Sequence, residues 1–158
     1  MIEVLNISDG SILREIIDKE FREILITEKE HPLIQNLEFK SENNFIGYFI
    51  QENGESIGII YVWPFHSKEA YACSYNLNIY LKKVYRKKGI MLGIYDTFES
   101  EIRKTDKIKN FIASIYSEQY KDIEWLEKRG FMKLGRLTGV GIGNEENQNV
   151  TFLMKKLY

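Results

Sequence analysis

Apolar positions change their spacing several times along the chain, and each change marks an element. Met1 to Leu5 reads as a short strand. From Ser11 onward, Ile12/Leu13, Ile16/Ile17, Phe21 and Ile24/Leu25 recur at helical spacing and stop before His31-Pro32. FIGYFIQ (45–51) and SIGIIYVW (56–63) are strand-like, and Glu52-Asn53-Gly54 between them signals a hairpin. Pro64 closes the second strand. SYNLNIYL (74–81) alternates strictly, with Tyr75, Leu77, Ile79 and Leu81 on one face and Ser74, Asn76, Asn78 and Tyr80 on the other. Met91, Ile94/Tyr95, Phe98 and Ile102 then form one helical stripe.

IKNFIASIY (108–116) reads as a buried strand. Asp122 to Arg129 reads as a short helix with Asp122 as its N-cap and Gly130 as its C-terminal glycine. FMKLGRL (131–137) and NVTFLMKKL (149–157) are the last two strands, with GVGIG (139–143) as a loop between them. The order is strand, helix, three strands, helix, strand, helix, two strands. It predicts a single α/β domain over 1–158, a mixed sheet covered by helices.

Composition narrows the function classes. The chain has 158 residues, 44% hydrophobic and 28% charged, which suits one globular domain with a sizeable core. Its 22 basic and 23 acidic residues give a net charge of -1, which argues against general nucleic-acid or membrane-surface binding. Cys73 is the lone cysteine, so no intrachain disulfide forms, and no zinc-like Cys/His spacing exists. A lone cysteine without a placed base reads as buried filler rather than a nucleophile. MIEVLNISDG lacks the basic and apolar regions of a signal peptide, and no uncharged stretch has the length of a membrane span. A cytoplasmic location is the expectation.

The segment YRKKGIMLGIYD (85–96) carries the candidate chemistry. A strand, a short basic connection, a glycine and a helix N-terminus together aim free N–H groups and the positive end of the helix dipole at one point. Gly89 has no Cβ to hold a phosphate away from the backbone, and Lys83, Arg86, Lys87 and Lys88 surround it with charge. The glycine spacing and Lys-Ser/Thr pair of a nucleoside-triphosphate loop are missing. GVGIG is no dinucleotide fingerprint either, because no helix follows it.

From about Gly58 to the C-terminus the chain resembles the GNAT superfamily of N-acetyltransferases. Arg86-Lys87-Lys88-Gly89-Ile90-Met91 matches the superfamily's Gln/Arg-x-x-Gly-x-Gly/Ala pattern, with Met91 in the small-residue slot. EWLEKRGFMKLGRL (124–137) matches its helix ending in Gly-Phe before a strand. YVWPF (61–65), Ala70-Tyr71, Ile79-Tyr80-Leu81 and LTGVGI (137–142) are similar to the phosphinothricin acetyltransferase-like branch.

The resemblance implies a GNAT fold, a central, mixed, mostly antiparallel sheet with helices on both faces. It implies acetyl-CoA as acyl donor, no metal, and an amine acceptor. The pantetheine arm would pair with Ile79, Tyr80 and Leu81, and the pyrophosphate would take N–H groups from Lys87, Lys88, Gly89, Ile90, Met91 and Leu92. Gln119 would supply a further polar contact, and Tyr120, with Tyr116 as a second candidate, would protonate the leaving thiolate. Two positions depart from the branch. Asn76 stands where it has a Glu able to act as base, and Leu126 stands where relatives have Tyr or His. Glu69 and His66 are candidates for a water-relayed base. The expected activity is transfer of an acetyl group to a small-molecule or amino-acid-like amine by direct attack. A non-catalytic acyl-CoA-binding regulatory domain and transfer to a protein amine are the alternatives, and a homodimer is an open assembly.

Overall fold

The computed structural model describes residues 2–7, 46–142 and 147–158. The helix expected over 12–25, which would cover the second face of the sheet, lies outside the described residues. Seven strands form one sheet: β1 (Ile2–Ile7), β2 (Ile46–Glu52), β3 (Glu55–Pro64), β4 (Ser74–Leu81), β5 (Asn110–Tyr116), β6 (Met132–Ile142) and β7 (Asn147–Lys156). Their spatial order is β1-β2-β3-β4-β5-β7-β6. Every neighbouring pair is antiparallel except β4 and β5. Helix α1 (Ile90–Lys104) makes the crossover between these two, and α2 (Tyr120–Lys128) follows β5.

Local chemistry explains most of these boundaries. Asn53 and Gly54 both take positive φ, 53° and 80°, so β2 and β3 are joined by the tight two-residue turn that Asn-Gly favours. The stripe expected for α1 is its buried face: Ile94, Tyr95, Phe98 and Ile102 enter the core with Tyr75, Leu77 and Leu81 of β4 and Phe111 and Ala113 of β5. Ile123 and Leu126 of α2 join the same cluster. Gly130 takes φ 90° just past α2, as a helix-ending glycine does.

Three sequence expectations need correction. GVGIG is not an inter-strand loop, because β6 continues to Ile142. The register slips between Leu137 and Gly141, where Gly139 adopts φ 68° and its N–H donates to Asn149 Oδ1 at 3.0 Å, so a glycine-supported irregularity keeps the strand going. Asp122 is not an N-cap. Gln119 occupies that position, and Asp122 sits in the first turn, where its charge still suits the helix dipole. Cys73 is exposed rather than buried, because it ends the turn before β4 instead of lying in the sheet.

A half-buried ion cluster ties α1 to β7. Glu99 accepts from Lys155 Nζ at 2.5 Å and from Arg103 at 2.7 and 3.0 Å, and Lys155 also reaches the Tyr95 hydroxyl at 3.4 Å. Burial pushes the Glu99 pKa up, but hydrogen bonds from Lys155, Tyr95 and Arg103 outweigh it and hold the carboxyl below its ordinary value. A folded-state pKa below the unfolded one stabilises the protein fully above the unfolded value and is lost as pH falls through the folded value. Urea midpoints should therefore be flat in neutral solution and decline below about pH 4.5. Glu99→Gln should make that acid slope shallower; an unchanged slope would show that the cluster contributes nothing to it.

Candidate functional site

The parallel pair at the centre of the sheet is short. β4 and β5 are in register only from Ser74 to Asn76 against Asn110 to Ile112, and they splay beyond that point. The remainder of β4, Asn78 to Leu81, thus has a strand partner only on its β3 side. At the start of that ladder the Phe65 N–H donates to the Ser74 carbonyl at 2.9 Å, and at its end the Lys82 N–H donates to the Ile57 carbonyl at 2.8 Å. Backbone direction alternates along an antiparallel strand, so Ser74, Asn76, Asn78 and Tyr80 face β3. On the other side the Leu77 N–H completes the last rung to Ile112, and the Leu77 C=O with the N–H and C=O groups of Ile79 and Leu81 turn into the gap.

A cleft of about 200 Å³ fills this gap. Leu77, Ile79, Tyr80 and Leu81 border it from β4, and Ala113 and Ile115 from β5. Trp125 and Leu126 of α2 close one side, and Met91 of α1 another. Arg86 Nε donates to the Leu81 carbonyl at 2.7 Å, with its guanidinium 5.7 Å from the Tyr80 ring centroid. Arg86 therefore bends back to the cleft instead of joining a solvated basic run. With the Leu81 carbonyl engaged, Ile79 offers one donor and one acceptor spaced as on a strand edge. An extended chain with amide groups fits that edge as an added strand would.

Below the cleft, Lys83–Lys88 form a 3-10 turn that ends at Gly89, whose φ of 68° and ψ of 5° start α1. Glycine is suited here by its backbone conformation as well as by its lack of a side chain. The Leu92 N–H donates to the Gly89 carbonyl at 3.3 Å, and the N–H groups of the first helical turn lack partners in the preceding turn of a helix. Met91 is half-buried, packing against the core while it borders the cleft. Ile90 also packs against the core, and Leu92 is exposed.

Gln119 borders the cleft, and its side chain makes no capping bond to α2. Tyr120 does not border it. It is 66% exposed and lines a separate hollow with Ser117, Ile123 and Lys133. Tyr116 is half-buried at the end of β5, and burial, then the Glu118 charge, pushes its pKa up, so the phenol stays protonated. Asn76 Nδ2 donates to the Pro64 carbonyl at 3.3 Å. His66 and Glu69 are exposed in the loop after β3, where His66 Nδ1 accepts from the Lys68 N–H at 3.0 Å. Neither these two nor Cys73 is among the described residues bordering the cleft.

The sequence placed Gln119 and Leu126 at the site but not Asp122 and Trp125. Gln119, Asp122, Trp125 and Leu126 all border the cleft. Their spacing of three, three and one was the available signal, since it puts them on one helical stripe. Among the described residues no cluster of three or more His, Cys, Asp or Glu could hold a metal, and no helix is long and apolar enough to cross a membrane.

Comparisons with known proteins agree with this geometry. No curated protein matches the chain. A protein provisionally assigned as a phosphinothricin N-acetyltransferase superposes with a TM-score of 0.81 at 17% identity, covering 100% of this chain and 99% of its own. An N-acetyltransferase from Staphylococcus aureus Mu50 gives a TM-score of 0.78 at 18% identity, with 100% and 99% covered. A provisionally assigned acetyltransferase from Salmonella typhimurium, solved with its cofactor acetyl-CoA, gives 0.76 at 13% identity, with 99% and 95% covered. At these identities the likeness shows the fold. The family model described as "Acetyltransferase (GNAT) domain" matches residues 2–150. With that match over nearly the whole chain, and with a central parallel pair that splays into a cleft, the protein belongs to the GNAT acetyltransferases, enzymes that use acetyl-CoA.

Proposed function

We propose that the protein transfers the acetyl group of acetyl-CoA to the primary amine of a small, amino-acid-like acceptor. The splay of β4 from β5, with the Ile79 N–H and C=O turned into it, carries this reading. The pantetheine arm pairs with Ile79 and lies against Tyr80 and Leu81. The pyrophosphate sits at Gly89, on N–H groups between Lys87 and Leu92, where the dipole of α1 favours negative charge. Gln119 adds a polar contact from the opposite wall. Met91 supplies a flexible wall that yields to the ligand where a smaller residue would leave space. Tyr120 takes no part in this arrangement, because it borders the second hollow and not the cleft.

Acetyl-CoA supplies an activated thioester, and the chain supplies placement. Asn76 and Leu126 take no proton, so the amine reacts in its neutral form and its proton passes to water. A thiol with a pKa of about 8.5 leaves as thiolate without a dedicated acid. The exposed position of Cys73, away from the cleft, favours direct attack over an acyl-enzyme. A cytoplasmic location fits this chemistry. The exposed Met132, Leu134, Leu137 and Val140 on the outermost strand β6 suit pairing with a second copy.

Two measurements test the proposal. Acetyl-CoA should raise the melting temperature, and an amine panel should release free CoA, with kcat/KM rising with pH along the acceptor's own ionisation. The side chains at Asn76 and Leu126 favour one second reading, a domain that binds acyl-CoA without transferring it. Stabilisation by acetyl-CoA without CoA release from any amine would establish that reading instead.

A further inference from the structure

We infer that Asn78 selects the acceptor, its side-chain amide donating to an oxygen carried beside the reacting amine. The inference rests on the acetyl-transfer reading above and names the acceptor chemistry for that site. Asn78 Nδ2 is buried and has no hydrogen-bond partner. Buried amide donors are almost always paired, and leaving one unpaired costs stability. A donor left open inside a folded domain is what a binding site holds ready for its ligand.

Its place in the fold says which ligand. Asn78 is the second residue beyond Asn76, whose pairing with Ile112 is the last rung before β4 and β5 separate. It therefore stands where the two strands part, beside the cleft-bordering Leu77 and Ile79 and not itself among the described residues that border the cleft. Its side chain lies with those of Asn76 and Tyr80, on the face opposite Leu77 and Leu81, which enter the core under α1. Asn76 commits its Nδ2 to the Pro64 carbonyl, so its Oδ1 is the atom it can turn to a ligand. One strand face thus carries an acceptor and, about 7 Å further along, a donor. An α-amino acid or its amide is complementary to that pair, with amine N–H groups directed to Asn76 and a carboxylate or carbonyl oxygen to Asn78.

The charge of this surface points the same way. From Ile59 to Trp63 on β3, Ser74 to Tyr80 on β4 and Ile112 to Tyr116 on β5 there is no Asp or Glu. A polyamine keeps a second ammonium that needs a carboxylate to replace its water. These strands offer none, and Asp122, the one carboxylate among the described residues bordering the cleft, comes from α2 and not from the strand face that carries Asn76 and Asn78. Trp63 lies directly across from Asn76 and is 37% exposed, which gives the body of the acceptor an aromatic wall.

The test compares leucine, leucinamide, 3-methylbutan-1-amine and spermidine as acceptors for wild type, Asn78→Leu and Asn78→Ser. The preference is read as the ratio of kcat/KM for an oxygen-bearing amine to that for 3-methylbutan-1-amine. Intrinsic amine reactivity cancels when one ratio is compared across variants. Asn78→Leu keeps the shape and removes the donor, and should lower the ratio by about ten- to a hundredfold. Asn78→Ser, which restores a donor, should recover part of it. Leucine against leucinamide tells whether the recognised oxygen is charged. Acetyl-CoA should still raise the melting temperature of both variants. The unliganded Asn78→Leu protein should melt at the wild-type temperature or about 2–4 °C above it, as expected when an unpaired buried donor is removed. Asn78→Ser gives the same comparison if the leucine variant folds poorly. Ratios unchanged in both variants, or a wild type that prefers spermidine, overturn the role of Asn78 alone. Acetyl-CoA binding with no acetylation of any amine overturns the proposed function and this inference together.

Discussion

Ile79→Pro should weaken acetyl-CoA binding by about ten- to a hundredfold while the unliganded protein keeps its fold. Proline removes one N–H and adds a ring at the same place. At Ile79 that N–H points into the gap beyond the last β4–β5 rung, so no bond of the sheet is lost. Proline is tolerated in strands where the N–H side is unpaired, which is the local condition here. The ligand loses a donor that the cleft aims at it, and the ring takes up some of its space.

Tyr80→Pro is the matched control. Its N–H faces β3, opposite Ile59, and its side chain is buried, so this variant should lose about 3 kcal/mol or more and unfold readily. Isothermal titration with acetyl-CoA and thermal melts separate the two variants. If Ile79→Pro unfolds as Tyr80→Pro does, the alternation assigned to β4 is wrong. If it binds acetyl-CoA as tightly as wild type, the ligand does not pair with Ile79.

Gly58→Ala should cost about 3 kcal/mol, a large effect for one methyl group. A Cβ at Gly58 would stand 2.5 Å from the Tyr80 carbonyl oxygen, and 2.9 and 3.2 Å from Leu81 and Ile50 side-chain carbons. The side chains have rotamers to use, but the carbonyl is part of the β3–β4 ladder, so relief requires one strand to move. β4 has no partner beyond Asn76 on its other side, and so it yields toward the cleft. Lower stability should thus come with weaker acetyl-CoA binding. A melting temperature within about 2 °C of wild type would falsify the close approach of Gly58 to Tyr80.

Much of the fold is legible in the sequence because period and turn chemistry are local. The strict alternation of 74–81 assigns Tyr75, Leu77 and Leu81 to the core, and the stripe on 91–102 assigns Ile94, Tyr95, Phe98 and Ile102 to it. Asn53-Gly54 and Gly130 mark their turns for conformational reasons carried by the residues themselves. The site is legible only in part. Ile79, Leu81, Met91 and Gln119 meet at one cleft, as their resemblance to the family implies. Tyr120 stands apart from these residues for a physical reason. It opens α2, and residues 120 and 119 are about 100° apart around a helix axis, so Gln119 faces the cleft and Tyr120 the second hollow.

The sequence by itself determined most of the described strands and helices, the turns at Asn53-Gly54 and Gly130, and the family, since each rests on residue type and short spacing. Tertiary structure alone decided where β4 leaves β5, which backbone groups that exposes, and which amide is left without a partner. Those outcomes depend on pairing between segments far apart in the chain. Asn76 and Asn78 show the difference. They are one residue type, two positions apart on one face of one strand, yet one amide is satisfied by Pro64 and the other is open. Hydrogen bonding is settled by what each group meets in space, and no local pattern of residues encodes that.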